Sequence, residues 1–166
     1  MAFEPATGDG PCMAAKGRAA EVRTAFEGLL QIRRVTNNTD EAATPAPWEL
    51  ARTVRAVALA LEASGFPPSA VDDDSRRTAT GYRVRPGDRP GTAYVEWLGP
   101  PGSGAAQEGE GRLKACAAAL GRLGWEALLY RGPRKQRFLE VEPAGPPPAQ
   151  VFGDTSGPGL PPAARG

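Results

Sequence analysis

The chain has 166 residues, room for one domain with extensions, and its 20 Lys and Arg against 19 Asp and Glu leave a formal net charge of +1. Without histidine, and with Cys12 and Cys116 as its only cysteines, it lacks the commonest general base, the usual pH switch and the ligand set of a structural zinc site. The near-neutral balance also excludes a global nucleic-acid footprint, so any contact with DNA or RNA must rest on a local basic patch.

In chain order, Met1 to Pro11 is punctuated by Gly and Pro and reads as disordered. From Ala14 to Arg34 the pattern is helical, with Val22, Phe26, Leu29 and Leu30 on one side and Arg18, Arg23 and Arg33 elsewhere. Gly17 and Gly28 each cost such a helix about 1 kcal/mol relative to Ala, and an isolated helix of this length is marginal in water, so it needs a partner surface. Thr36 to Asp40 reads as a polar linker, which makes residues 1–43 an N-terminal extension of one amphipathic helix and a linker. Valine codons can initiate translation in bacteria, so a frame opening at Val35 leaves it undecided whether residues 1–34 belong with the rest.

The organised region spans residues 44–143. Thr44 is a candidate N-cap with Pro45 or Pro47 in the first turn, and Leu50, Val54, Val57 and Leu61 form an apolar helical stripe closed by Ser64-Gly65-Phe66. A second stripe, Leu113, Cys116, Ala117 and Leu120, closes on Leu123-Gly124-Trp125. Each helix is followed by two strand-like runs joined by a Gly/Pro turn: Tyr82–Arg85 with Thr92–Leu98, then Trp125–Tyr130 with Phe138–Glu142. A loop from Pro67 to Ala79, carrying Asp72-Asp73-Asp74, separates the first helix from its strands. The expected fold is therefore α+β: two α-β-β units, readable as an internal duplication, sharing a four-stranded antiparallel sheet with the helices on one face. Residues 144–166 are rich in Pro and Gly without apolar periodicity and read as a disordered tail.

Gly99-Pro100-Pro101-Gly102-Ser103-Gly104-Ala105-Ala106 has the glycine spacing of a phosphate-binding loop, but alanines stand where that loop needs lysine and a hydroxyl. No cofactor is expected there, and the stretch reads as a linker between the two units. The run at Asp72 lacks the alternate-residue pattern and following Glu of a calcium loop, so no metal is expected either. Cys116 lies on the apolar stripe and reads as a small core residue, and no catalytic constellation can be assembled.

Two surfaces remain. If Ala93, Val95, Trp97, Leu139 and Val141 face the helices, strand alternation turns Tyr94, Glu96, Phe138, Glu140 and Glu142 outward beside Arg83 and Arg85. Aromatics among charges of both signs suit a protein partner or a homodimer, unless the N-terminal helix covers that face through Phe26 and Leu29. The alternative is nucleic acid at the turn holding Arg131, Arg134, Lys135 and Arg137, where four cations occupy seven residues. Charged hairpin tips are also the ordinary defence against sheet-edge aggregation. With no apolar run near the ~18 residues that cross a bilayer, the expectation is a cytoplasmic accessory protein with no membrane partner. Its Ala-, Arg-, Gly- and Pro-rich composition resembles that encoded by high-GC bacterial genomes.

Overall fold

The computed structural model describes residues 3–37, 42–134 and 136–145. Its elements run α1 (Arg18–Asn37), α2 (Pro47–Ala51), α3 (Thr53–Ala63), β1 (Ala70–Val71), β2 (Arg77–Ala79), β3 (Gly81–Pro86), β4 (Ala93–Leu98), α4 (Ala105–Arg122), β5 (Trp125–Arg131) and β6 (Arg137–Pro143). The α+β class and the four-stranded antiparallel sheet are as expected, and the sheet order is β3-β4-β6-β5. The closing strands of the two hairpins, β4 and β6, thus meet at the centre with Tyr94 opposite Glu140.

Helices α3 and α4 cover one face. Their Val57, Leu61, Leu113, Cys116 and Leu120 are buried against Tyr82, Val84, Val95, Trp125, Leu139 and Val141 of the sheet. Strand alternation explains the selection: along β4 the buried residues are Ala93, Val95 and Trp97, with the intervening ones half-exposed. The aliphatic side chains here each contribute roughly 1.5–3 kcal/mol relative to exposure, so this layer is the main stabilising term.

Several elements differ from the sequence expectation. The helix expected from Thr44 is two helices, because Arg52 leaves helical geometry (φ −132°, ψ 60°). Pro47 opens α2, and the carboxylate of Glu49 accepts the Ala46 N–H at 2.9 Å. Glu49 is buried and Leu50 is exposed, the reverse of the apolar stripe, because Glu49 meets the buried guanidinium of Arg33. Helix α1 starts after Gly17 and continues through Thr36 and Asn37, residues read above as linker. The Pro67–Ala79 loop holds the small antiparallel pair β1–β2, and Asp72 turns it by accepting the N–H groups of Asp74 and Arg76.

The largest correction concerns the N-terminus. Residues 3–11 are not a loose end: Thr7 accepts the Val84 N–H at 2.7 Å, Gly10 accepts that of Val71 at 2.9 Å, and Asp9 bridges Arg77 and Arg83. Gly8 passes so close to β3 that a Cβ there would lie 2.4 Å from the Tyr82 carbonyl. This segment is a strap across the outer edge of β3. Together with Arg18–Glu62 at 2.7 Å and the Arg33–Glu49 pair, it makes the chain before Val35 part of the fold. Ala144 still donates to Gly124, and the tail beyond Gly145 lies outside the described residues.

Candidate interaction surface

Helix α1 packs on α3, through Val22 and Leu29 against Leu59, and so lies on the helical side of the molecule. The expectation that Phe26 and Leu29 cover the outer sheet face is therefore corrected: both join the helical core clusters. Among the described residues, the face opposite α3 and α4 carries no helix.

Register places the side chains on this face. Arg83 stands opposite Glu96 and Arg85 opposite Tyr94 across β3–β4, while Tyr130 faces Phe138 and Leu128 faces Glu140 across β5–β6. The rings meet in a row: Phe138 lies edge-on to Tyr94 with centroids 5.3 Å apart and stacks on Tyr130 at 5.9 Å. The guanidinium of Arg85 sits 4.5 Å over the Tyr94 ring. The Tyr94 hydroxyl donates to Asp88 at 2.6 Å, and that bond holds its pKa above the ordinary tyrosine value.

Leu128 and Tyr130, not among the residues expected here, also lie on this face. Both are more than two-fifths exposed and extend the aromatic row to the β5 edge. Alternation from Trp125 could have found them. The adjacent pair Leu128-Leu129 obscured which leucine faced the core.

Every cation of this face is engaged. Arg83 bonds Asp9 and Glu96 at 2.9 Å, Arg85 approaches Glu96 at 3.4 Å, and Arg89 reaches Glu142 at 3.0 Å and Glu140 at 3.6 Å. Partial burial works against the Arg83 charge, yet the hydrogen bonds to Asp9 and Glu96 prevail and raise its pKa. The face is thus an apolar row bordered by ion pairs that are already formed.

The basic turn is less free than its sequence suggests. Arg137 is held 2.9 Å from Glu110 of α4, whose pKa is lowered by the Lys114 hydrogen bond and by the charges of Lys114 and Arg137. Arg131 and Arg134 are exposed, while Lys135 lies outside the described residues. The phosphate-loop lookalike is an exposed turn into α4, packed only at its start, where a Cβ on Gly99 would fall 2.4 Å from the Thr80 hydroxyl. Cys116 is buried, and desolvation pushes its thiol up to about 12.

No protein family matches the sequence, and no curated protein and no solved structure matches it either.

Proposed function

We propose that this chain is a non-catalytic, cytoplasmic accessory protein that binds a partner protein through its open sheet face. The observation that carries the reading is the row of half-buried Tyr94 and Phe138 running out to exposed Tyr130 and Leu128, on a face whose arginines are already paired with carboxylates. A polyanion gains little from guanidinium groups that are neutralised in place. A protein surface that brings apolar side chains to the centre and hydrogen-bonding groups to the rim matches the aromatic row and the ion-paired border. The residues assigned to this contact are Tyr94, Phe138, Glu96, Glu140, Arg83 and Arg85, joined by Leu128 and Tyr130. The two α-β-β units read as degenerate copies, a view supported by the meeting of β4 with β6 and by the left-handed Gly65 and Gly124 that follow α3 and α4.

The alternative, nucleic acid at Arg131, Arg134, Lys135 and Arg137, draws support from the exposure of Arg131 and Arg134. It is weakened by the commitment of Arg137 to Glu110.

Site-directed photocrosslinking in the producing cell separates these readings. A crosslinker at Tyr94 or Phe138 is expected to give one discrete protein adduct that survives nuclease, whereas the same group at Arg112 or Lys114 on α4 gives none. Adducts lost on nuclease treatment, or found only at the 131–137 turn, would favour the alternative. An adduct of twice the chain's own mass would identify the partner of the face as a second copy.

A further inference from the structure

The two edges of the sheet are treated differently. The outer edge of β3 is covered by the strap, with Thr7 accepting from Val84 and Gly8 pressed on Tyr82 and Arg83. Among the described residues, the outer edge of β5 has no such cover. Just beyond the ends of the β5–β6 ladder, Gly132 donates to Gln136 at 2.6 Å and Ala144 donates to Gly124 at 3.0 Å, both in the register of the ladder. Bonded residues alternate with outward-facing ones in an antiparallel pair. Gly124, Glu126, Leu128, Tyr130 and Gly132 therefore turn their backbone groups to β6. Trp125, Ala127, Leu129 and Arg131 turn theirs away, and no described residue hydrogen-bonds these groups.

An edge seven residues long, with Glu126 as its one charge before the terminal Arg131, is the kind of strand that pairs with another unless it is blocked. Other devices that blunt an edge are missing inside β5: it has no proline, no lysine and no bulge.

We infer that two copies of this chain join through antiparallel pairing of their β5 edges, merging two four-stranded sheets into one. The sequence of β5 is self-complementary about Leu128. A two-fold axis at Leu128 sets Ala127 opposite Leu129 of the second copy and Trp125 opposite Arg131 of the second copy. All four outward residues then pair, each with one N–H and one C=O. On the outer face Leu128 meets its own copy and Glu126 meets Tyr130, so no like charges oppose. Moving the axis to Leu129 would set Trp125 against Pro133, which has no N–H to donate. The pairing also sets the two Leu128 side chains, one at the β5 end of each aromatic row, against each other. It goes beyond the proposed partner site and stands independently of what that face binds.

The test is sedimentation velocity on the full chain, with circular dichroism confirming the fold of each variant. Wild type is expected to be a dimer. Ala127→Pro removes an outward N–H without touching the β5–β6 ladder, and Leu128→Lys places like charges across the axis; both are expected to give monomers. Leu128 is exposed, so its variants keep the test decisive should Ala127→Pro fail to fold. In a Cys12→Ser background, Leu128→Cys is expected to yield a disulfide-linked dimer under mild oxidation, because opposed non-bonded residues lie within disulfide reach; Glu126→Cys is not. Phe138→Ser should abolish partner binding at the face yet leave the dimer intact, which separates the two proposals. A monomeric wild type, a dimer surviving both edge variants, or a dimer lost only on Phe138→Ser would overturn the edge pairing.

Discussion

Arg33 of α1 and Glu49 of α2 form a two-pronged ion pair in the protein interior, with Nε to Oε2 and Nη2 to Oε1 both at 2.8 Å. Arg33 is 1% and Glu49 0% exposed, and both groups make further hydrogen bonds. The Arg33 guanidinium also donates to the carbonyls of Ala42 and Leu123, and Glu49 accepts from Ala46. One side chain thus ties the end of α1 to the start of α2 and to the α4–β5 junction. Removing one partner leaves a buried charge alone, so Arg33→Met or Glu49→Gln should each cost about 3–5 kcal/mol. The double replacement Arg33→Met with Glu49→Leu should recover much of that loss. Urea denaturation of the three variants checks the order; additive losses in the double variant would show that the charges do not act as a pair.

The strap carries a pH dependence. Burial raises the Asp9 pKa, but the hydrogen bonds and charges of Arg83 and Arg77 outweigh it and bring the net value below the ordinary 3.8. A carboxylate depressed on folding adds stability above its unfolded pKa, and the gain is lost as pH falls through the lower folded value. Strap attachment should therefore hold through the mildly acidic range and loosen below about pH 3.8. An NMR titration of the Asp9 carboxyl, with the Val84 amide as reporter, follows it directly. Asp9→Asn should remove the pH response of that amide in this window, and an unchanged response would assign it to another group.

This strap marks where sequence reading stopped. Phe3 to Gly10 has no apolar period, because what holds it is backbone pairing to β3 and the reach of Arg55, Arg77 and Arg83 to Glu4 and Asp9. Such contacts join residues dozens of positions apart and leave no local pattern. The hairpins were legible for the opposite reason: Val84, Val95 and Val141 alternate with charged or polar neighbours, and a period of two assigns both faces at once. Glu49 shows the remaining limit. A glutamate reads as surface unless its partner is known, and Arg33 lies on another helix.

The two cysteines should differ in chemistry. Cys12 is exposed, whereas Cys116 is buried with desolvation lifting its thiol to about 12, which leaves almost no thiolate at neutral pH. A thiol-specific reagent at pH 8 should modify one cysteine per folded chain, and the second only after denaturant is added. Cys12→Ser should leave the folded protein unreactive. Fast labelling of Cys116 in the folded state would show that the α4–sheet interface opens readily.

Truncation on the two faces of the sheet should cost different amounts. Trp125→Ala empties a site that is 1% exposed beneath α4 and should lose about 3–5 kcal/mol. Phe138→Ala removes ring contacts with Tyr94 and Tyr130 from a half-exposed position and should lose about 1 kcal/mol. Denaturant midpoints at equal slope give the comparison. Equal losses would mean that the outer rings belong to a buried layer, and the proposed contact surface would fail with them.

Gly65 and Gly124, which close the two similar helix ends, test how far that similarity extends into packing. Both adopt left-handed geometry, with φ of +94° and +91°. A side chain at either position carries the strain of that conformation, about 1–2 kcal/mol. Space separates them: a Cβ on Gly65 meets nothing within 4 Å, whereas one on Gly124 would fall 2.2 Å from the carbonyl oxygen of Ala43. Gly65→Ala should therefore cost about 1 kcal/mol, and Gly124→Ala distinctly more, because backbone must move to admit it. Thermal unfolding of the two variants reads the difference. The excess at Gly124 should track the 42–46 segment that Arg33 also grips, so in an Arg33→Met background the gap between the two alanine variants should narrow. A gap unchanged in that background would mean that Ala43 is held in place without Arg33.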